Sequence, residues 1–396
     1  MSSRLNYNTP AVVAGLCSHG LAVCRALARH GIPVTALESD IALPGFATRR
    51  AKVVPIAEVN GERLVPSLIE YRKGSASGAK PVLFLTNDNM VKIVAEYWDD
   101  LSDHYQLSWA PARQNVLELL DKSGCERYLR QRNYPLPATW LLSEETWDAT
   151  IEAVTFPAIA KPSRPLGEFK ALRLADRDEL TALAARHPHT PLVVQEWIPG
   201  GDEKLFFSAT VARHGEPLCF FDGTKYLSHP PARGQTVVAG PSQRQEIREL
   251  VTQLARDTCM SGPMSIEVKL DPAGGPKIIE PTVGRTDFWA QLAIINGTDL
   301  PYIEYMSVVE PDSVPGQESV SVPRVWFDSE KDPASLVRLA HRITSDLGRL
   351  WLPGFSYLNI TDPRPFGKAL GRFFARVRKY LARRLPGRES SATTRR

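Results

Sequence analysis

The sequence predicts an α/β, doubly wound N-terminal domain followed by an α+β domain that is organised around an acidic hairpin. The chain begins with a buried strand at residues 11–15, an amphipathic helix at 21–30 and a second strand at 33–38. That succession is typical of the start of a parallel, Rossmann-type sheet. Residues 265–285 instead indicate two short strands around a Pro/Gly-rich turn at 271–276.

Length and composition indicate a soluble protein of more than one domain. The 396 residues are 43% hydrophobic and 23% charged, which is enough for two or three domains with real cores. From residue 362 onward there are eleven Lys and Arg and two acids, so the preceding part holds 37 basic and 42 acidic residues, a net charge of −5. A mildly acidic body argues against nucleic-acid binding.

The cysteines indicate the cellular compartment, and the histidines indicate which metal is not expected. The five cysteines are scattered and form no CxxC pair, which predicts reduced thiols in a cytoplasmic protein. The eight histidines include no HxxxH pair, so we do not expect zinc. No stretch is as long and apolar as a membrane span, and Gly15, Cys17 and His19 interrupt the only apolar run near the N-terminus.

The first turn argues against a bound dinucleotide. It reads Gly15-x-Cys17-x-x-Gly20, and Cys17 stands where a dinucleotide-binding turn has the glycine that admits the pyrophosphate. We therefore expect no NAD, and an NAD-dependent oxidoreductase is the remote alternative. A later buried strand at 81–86 is followed by Asp88, at the sheet edge where ligands bind. The alternative role for Asp88 is a helix N-cap.

The middle of the chain alternates helices and strands. The pattern predicts helices over 115–129, 174–186, 241–258 and 302–309, and strands over 156–161, 191–198, 205–211 and 218–222. Lys122 lies near the middle of the first of these helices. Lys161 shares one face of its strand with Ile159, and an unpaired ammonium at an inward position is unfavourable. A nucleotide phosphate would satisfy it, whereas the alternative is an edge-strand lysine that faces water.

The hairpin carries two carboxylates. If Leu270 faces Lys277 across the turn, Glu267 lies directly opposite Glu280. Like charges at that placement are destabilising unless a cation lies between them, and Mg²⁺ prefers carboxylates and bridges to phosphate oxygens. An ordinary solvated face with two glutamates is the alternative, which a one-residue slip in register would favour.

The end of the chain changes character. A helix is expected over 333–347, and from residue 365 a basic amphipathic helix follows. Its apolar residues at helical spacing are Leu370, Phe373, Phe374, Val377 and Leu381. The helix at 366–384 is expected either to pack on the acidic body or to contact an anionic membrane surface peripherally. The protein would then be cytoplasmic, or peripheral at the inner membrane surface.

The order of these features resembles the ATP-grasp superfamily over roughly residues 108–305. The resemblance implies a set of nucleotide-binding residues, namely Lys122 and Lys161 at the phosphates, Glu196 and Ile198 at adenine, and Asp202 or its neighbour Glu203 at the ribose. It also implies catalytic and metal-binding residues, namely Lys225 and Arg233 near the γ-phosphate and acyl substrate, Arg285 at the transferring phosphate, and Glu267, Glu280 and Thr282 at magnesium. Thr282 stands where the family has asparagine, and the loop at 163–167 contains proline where the family has several glycines.

The resemblance implies a Rossmann-like pre-ATP-grasp domain at 1–110, a two-part ATP-grasp domain at 111–310, an extension at 311–364 and the basic helix and tail at 365–396. It implies a carboxylate–amine ligase of the carbamoyl-phosphate-synthase-like branch, D-aspartate ligase included, that uses ATP and Mg²⁺ or Mn²⁺. The substrates would be a small carboxylate and an amine. An ATP-grasp kinase or an inactive nucleotide-binding subunit is the alternative, and the sequence indicates neither the substrates nor the oligomeric state.

Overall fold

Three sheets follow one another along the chain. The structure, a computed structural model, describes residues 8–75, 78–143, 147–163, 171–229, 234–318, 320–328 and 350–384. The strands are β1 (Ala11–Ala14), β2 (Val34–Glu38), β3 (Lys52–Pro55), β4 (Val82–Leu85), β5 (Thr139–Leu142), β6 (Ala158–Pro162), β7 (Leu172–Leu174), β8 (Leu192–Glu196), β9 (Leu205–Arg213), β10 (Glu216–Pro217), β11 (Phe221–His229), β12 (Gln235–Pro241), β13 (Gly262–Leu270), β14 (Pro276–Val283), β15 (Val325–Phe327) and β16 (Leu350–Phe355).

Helices cover and connect these sheets. They are α1 (Ser18–Arg29), α2 (Leu64–Lys73), α3 (Asp88–Glu96), α4 (Trp98–Leu101), α5 (Arg113–Leu120), α6 (Lys122–Gln131), α7 (Trp147–Ala153), α8 (Arg177–Arg186), α9 (Gln245–Asp257), α10 (Ala290–Ile295), α11 (Leu300–Val309) and α12 (Arg364–Arg384). The helix predicted over 333–347 lies outside the described residues.

The first sheet is parallel, as the sequence predicts, with the strand order β3-β2-β1-β4. Its two faces are both buried, because alternate residues of β1 pack in opposite directions. Val12 and Ala14 pack with α2 and α3, whereas Ala11 and Val13 pack with α1 and α11. The first of these cores continues to Ile266 of β13. The acidic hairpin therefore packs directly against the N-terminal part of the protein.

The helix predicted over 115–129 is two helices. It breaks at Asp121, whose backbone is extended and whose side chain accepts a hydrogen bond from the backbone N–H of Gly124 at 2.7 Å. A carboxylate that satisfies a free N–H in this way is an N-cap. Lys122 is consequently the first residue of α6 rather than a residue in the middle of a helix. The helix predicted from residue 241 likewise begins later, because Pro241 ends β12 and α9 starts at Gln245.

The second sheet is antiparallel, with the order β5-β8-β6-β7, and α7 and α8 cover one of its faces. Ala158 and Ala160 of β6 are fully buried beneath these helices, while Ile159 and Lys161 lie on the opposite, less buried face. The predicted alternation in this strand is confirmed. Strand β5 and helix α7 were not expected from the sequence.

The third sheet has eight strands and includes the hairpin. Its order is β14-β13-β9-β11-β12-β15-β16, with β10 paired to β9. Strands β15 and β16 join it from the segment that the sequence predicts to be a C-terminal extension.

An ion pair fixes the chain just before the last helix. The carboxylate of Asp362 is fully buried and accepts hydrogen bonds from Arg25 Nε at 3.0 Å and from the Thr48 hydroxyl at 2.7 Å. Helix α12 then leaves along the surface beside the turn at Pro44–Ala47. There, Lys368 Nζ donates to the carbonyl of Ile41 and lies 5.5 Å from the ring centroid of Phe46.

One buried acid makes stability depend on pH. Glu304 of α11 is 3% exposed, and burial raises the pKa of its carboxyl to about 8. Its one hydrogen bond in the described residues comes from the Ser108 hydroxyl at 2.7 Å. A carboxyl whose pKa is higher in the folded state binds more protons there, so the free energy of unfolding decreases as the pH rises from the ordinary value of 4.5 towards 8.

We expect Glu304→Gln to remove this decrease. At pH 5 the variant and the wild type should melt at similar temperatures, because both side chains are neutral. At pH 9 the variant should be more stable, since each pKa unit of difference is equivalent to about 1.4 kcal/mol. Thermal melts at both pH values measure this. Melting curves that differ by the same amount at pH 5 and pH 9 would contradict it.

Candidate active site

The two hairpin carboxylates face each other. Glu267 of β13 pairs directly with Glu280 of β14, as the sequence predicts. The turn itself is one residue out of the predicted register, because Leu270 faces Pro276 and not Lys277. A bulge restores the pairing: Glu267 faces Glu280 while the next residue, Val268, faces Ile278. The shift of one residue at the turn would have separated Glu267 from Glu280, and the bulge corrects it before the strands reach these two acids.

A lysine of the same sheet neutralises one of the acids. Lys225 of β11 is 6% exposed at its side chain and lies 3.2 Å from Glu267 Oε2. The resemblance assigns both residues to one site although they are 42 positions apart, and they meet because β11 and β13 both pair with β9. Arg233, which the resemblance assigns beside Lys225, lies outside the described residues, as does most of the loop at 163–167.

Two further lysines lie next to each other, Lys161 on β6 of the second sheet and Lys122 at the start of α6. Lys161 Nζ donates to Gln195 Oε1 at 3.0 Å, and Lys122 Nζ donates to the Pro162 carbonyl at 3.3 Å. Neither ammonium forms an ion pair with a carboxylate of the described residues. Burial lowers the pKa of Lys161, and the nearby charge of Glu280 opposes that shift. Both lysines therefore leave positive charge available to an anion.

Glu280 lies where these charges meet. Its side chain is exposed to solvent, although neighbouring protein partly desolvates the carboxylate. Burial raises the pKa of its carboxyl, as do Asp88 and Glu267, while Lys161 and Lys122 lower it. The pKa of Glu280 is raised overall because burial is the largest contribution. A cation next to Glu280 would favour the ionised form.

Arg285 links the hairpin to the N-terminal sheet. Its side chain is 11% exposed, and its Nε donates to Asp88 Oδ1 at 2.6 Å. Its Nη1 donates to the carbonyl of Thr286 at 3.2 Å and lies 3.5 Å from Asp287 Oδ1. Burial alone would lower the pKa of this guanidinium, but Asp287 and Asp88 more than offset burial and raise it. Arg285 is therefore a fixed cation at the end of the hairpin.

A buried histidine holds the residue after Arg285. His19 of α1 is fully buried, and burial lowers its pKa to about 3, so the imidazole is neutral at pH 7. Nδ1 lies 3.4 Å from the carbonyl of Thr86, which can only accept, so Nδ1 carries the proton. Nε2 then accepts from the Thr286 hydroxyl at 2.8 Å. These contacts fix the backbone beside Arg285.

Hydrogen bonding differs along the segment that is predicted to bind the nucleoside. No backbone hydrogen bond of Ile198 occurs in the described residues, which suits a hinge for adenine, whereas the backbone N–H of Glu196 donates to Ala138. The carboxylate of Asp202 accepts from both the N–H and the hydroxyl of Ser228 at 2.8–2.9 Å. Glu203 is exposed and its Oε1 accepts from the backbone N–H of Gly201 at 3.0 Å, so both acids predicted for the ribose have protein partners.

Two residues near this site were missed in the sequence. Asp287 lies beside Arg285 with its side chain 14% exposed, and the hydroxyl of Thr282 donates to its Oδ2 at 3.4 Å, so a third carboxylate lies next to Thr282 of the hairpin. Lys269 donates to the carbonyl of Gly200 at 2.8 Å and lies 4.8 Å from the ring centroid of Trp197. The sequence shows that Lys269 and Asp287 lie near Glu267 and Glu280 along the chain. It does not show which residues they contact in the folded protein.

The glycines of the first turn are required by close packing within the protein. A Cβ on Gly15 would lie 2.3 Å from Thr86 Oγ1, and one on Gly20 would lie 1.9 Å from the Gly15 carbonyl oxygen. The acid that ends β2, Glu38, accepts hydrogen bonds from the backbone N–H groups of Leu16, Ser39 and Asp40 at 2.7–2.8 Å. The acid that would bind a ribose is thus already satisfied, which argues against the NAD-dependent alternative.

The hairpin fits a magnesium ion that is shared with a phosphate. Mg²⁺ is commonly held by one or two carboxylates together with substrate phosphates and water. Glu267 and Glu280 supply such a pair. Within the described residues no group of three His, Cys, Asp or Glu side chains could hold a metal ion alone. The donor set therefore suits an ion that arrives with a nucleotide.

Solved structures share the fold. N5-carboxyaminoimidazole synthetase from Staphylococcus aureus, complexed with ADP, matches with a TM-score of 0.63 and 13% identity over 87% of this chain and 88% of that chain. The Aspergillus clavatus synthase, in complex with ADP and 5-aminoimidazole ribonucleotide, matches with a TM-score of 0.63 and 14% identity over 85% and 87%. Biotin carboxylase from Campylobacter jejuni, in a βγ-ATP complex, matches with a TM-score of 0.60 and 14% identity over 81% and 75%.

These likenesses give the class of fold. The chain has the ATP-grasp fold that the order of its motifs predicts. No family profile and no curated protein match the sequence.

Proposed function

We propose that the protein is an ATP-dependent carboxylate–amine ligase. The observation that supports this most is the direct pairing of Glu267 with Glu280 beside two lysines, Lys122 and Lys161, that form no ion pair with a carboxylate among the described residues. Opposed acids suit Mg²⁺ and unpaired ammonium groups suit phosphates. Proteins with the same fold were solved with ADP or an ATP analogue. We also propose the domain division given by the sequence and the cytoplasm as compartment.

Each group has a role in the proposed reaction. Lys161 and Lys122 bind the triphosphate, and Glu267 and Glu280 hold Mg²⁺, with Mn²⁺ as a substitute. When bound, the metal neutralises the phosphates during transfer. Arg285 stabilises charge on the transferring phosphoryl group, because it is fixed in place before the reaction begins. A carboxylate oxygen attacks the γ-phosphorus and displaces ADP. An amine then attacks the carbonyl carbon of the resulting acyl phosphate, and phosphate leaves as the amide forms.

A screen for ADP release tests the proposal. MgATP is supplied with a pool of common amino acids and small dicarboxylic acids, and hydroxylamine is added to convert any acyl phosphate to a hydroxamate, which iron(III) then colours. We expect hydroxamate together with ADP, and mass spectrometry identifies the acid. Release of ADP without hydroxamate and with a phosphorylated product would indicate a kinase. Failure to bind MgATP in calorimetry would indicate that the fold has lost its nucleotide site.

We further propose that α12 contacts an anionic membrane surface. Phe366, Leu370 and Phe374 are 37%, 40% and 60% exposed, although helical spacing places them among basic side chains. Contacts of α12 with the body include Lys368 and Arg372, which donate to carbonyls at residues 41 and 42. The described helices include none that is long and apolar enough to cross a bilayer. A surface contact suits a basic helix with exposed aromatic rings.

We expect salt-sensitive sedimentation with vesicles of phosphatidylserine and phosphatidylcholine. Each Lys or Arg near such a surface contributes about 1 kcal/mol, and salt screens that attraction. A chain ending at Arg364 keeps the Asp362 anchor and should stay in solution. A full-length variant with Phe366 and Phe374 both changed to serine should bind less tightly than the wild type. Equal sedimentation of the full-length and truncated chains would show that α12 binds no lipid.

A further inference from the structure

Helix α12 packs on the body with its basic side. Lys368 Nζ donates to the carbonyl of Ile41, and Arg372 Nη1 donates to the carbonyl of Ala42 at 3.0 Å. The exposed large apolar residues of this helix are Phe366, Leu370 and Phe374. Because each helical residue is rotated by about 100° from the one before, these three lie on average about 180° around the axis from Lys368 and Arg372. The apolar side of α12 therefore faces away from the body.

Two exposed isoleucines lie on segments that touch or adjoin α12. Ile41 is 64% exposed in the loop after β2, and Ile360 is 81% exposed in the corner before α12. Together with Phe374, which is 60% exposed, they are the three most exposed large apolar side chains of the described residues. Single exposed apolar residues are ordinary, whereas a group of them on one side of a protein indicates an interaction surface.

The corner that carries Ile360 is held in place on both sides. The buried carboxylate of Asp362 accepts from the backbone N–H of Arg49 at 3.0 Å, in addition to the two hydrogen bonds described above. Arg50 Nη2 donates to the carbonyl of Thr361 at 2.9 Å. A segment that is ordered before binding loses little conformational entropy when it binds. Ile360 is thus presented in a fixed position.

The loop that carries Ile41 has its polar groups satisfied. Asp40 Oδ1 accepts from the backbone N–H of Ala42 at 2.8 Å, and the carbonyls of Ile41 and Ala42 accept from Lys368 and Arg372. A carbonyl without a hydrogen bond is unfavourable in an apolar environment. The hydrogen bonds from α12 therefore make this loop suited to contact with hydrocarbon.

The charge and the shape of this surface favour lipid over a protein partner. Arg49 and Arg364, on either side of the corner, are exposed and form no ion pair among the described residues, although the rest of the protein is mildly acidic. A side chain as exposed as Ile360 projects from the surface and touches little of its own protein. A protein partner needs a matching cavity for such a side chain, whereas a bilayer needs none. Cationic groups around projecting apolar side chains suit the interface of an anionic bilayer.

We propose that α12, the loop at 40–43 and the corner at 359–361 form one docking surface for an anionic bilayer, in which Ile41, Ile360 and Phe374 enter the headgroup region. This inference rests on the proposed membrane contact of α12. It adds that the body of the protein lies directly against the bilayer. Because three separate points of contact define a plane, the protein is held in one orientation and does not swing about α12.

An environment-sensitive dye tests which segments of the full-length protein touch lipid. Cys17 and Cys259 are the cysteines that are not buried, and serine at both positions gives a background for labelling. Ile41→Cys and Ile360→Cys are each labelled with nitrobenzoxadiazole, whose emission brightens and shifts to the blue in hydrocarbon. We expect both responses with vesicles of phosphatidylserine and phosphatidylcholine. The matched control is Leu141→Cys, at a 37% exposed position of β5 in the second sheet, which should not respond.

Serine variants measure the contribution to binding. Ile41→Ser and Ile360→Ser together should weaken vesicle binding at least about tenfold, because an isoleucine side chain loses its transfer from water to an apolar environment. Leu141→Ser should bind as the wild type does. Sedimentation of the wild type without a dye response at 41 and 360 would overturn this docking surface while leaving the membrane contact of α12 intact. Absence of sedimentation would overturn both. A dye response that needs no vesicles and grows with protein concentration would show that the surface binds a second copy of the chain instead.

Discussion

Glu280→Gln is expected to lower MgATP-dependent ADP release by about a thousandfold while the protein stays folded. A metal that neutralises transferring phosphate is worth several kcal/mol of transition-state stabilisation, which corresponds to a loss of roughly this size. The amide keeps the shape of the side chain but removes one of the two paired charges. Burial and the neighbouring Glu267 already disfavour the ionised form of Glu280, so its loss should not lower the melting temperature.

The matched control is Glu216→Gln. Glu216 also lies in the third sheet, on β10, where it pairs with Arg256 at 2.9 Å on the surface. Its neutralisation should leave ADP release unchanged. Steady-state ADP release and thermal melts of both variants measure the difference. Normal turnover in Glu280→Gln would mean that the hairpin does not hold the metal.

Much of the site could be predicted because the hairpin is local. Glu267 and Glu280 are joined by a short turn, so strand alternation alone predicts that they share a face. The predicted turn register was wrong by one residue, and the bulge before Val268 compensated. Bulges are decided by how a strand packs on its neighbours, which a single sequence does not reveal.

The contacts between the first sheet and the hairpin could not be predicted. His19 meets Thr286 across 267 positions, and Asp88 meets Arg285 across 197. Pairs so distant are fixed by the packing of whole elements and not by local propensity. Taken alone, His19 has an ordinary explanation as a histidine near a turn, and Asp88 has one as an acid at the start of a helix. The break at Asp121 was different, because an acid three residues before Gly124 is a visible capping signal.

Replacing Lys161 with methionine is expected to weaken MgATP binding by roughly a hundredfold, or about 2.7 kcal/mol, the size of a charge-assisted hydrogen bond. Methionine keeps the volume of the side chain and its apolar contacts on β6. The lost group is an ammonium that burial already makes less basic and that donates to the amide oxygen of Gln195 at 3.0 Å.

The same facts predict that stability does not suffer. A folded-state pKa lowered by burial means that the protein binds this proton less tightly than the unfolded chain does, so the buried charge of Lys161 opposes folding at neutral pH. Lys161→Met should therefore melt at the same temperature as the wild type or higher. Lys92→Met removes an exposed lysine that pairs with Glu96 and should alter neither property. Calorimetric titration with MgATP measures the affinity, and thermal melts measure the stability. An unchanged dissociation constant would show that Lys161 is an ordinary lysine of the sheet surface. A large loss of both affinity and melting temperature would show that its role is structural.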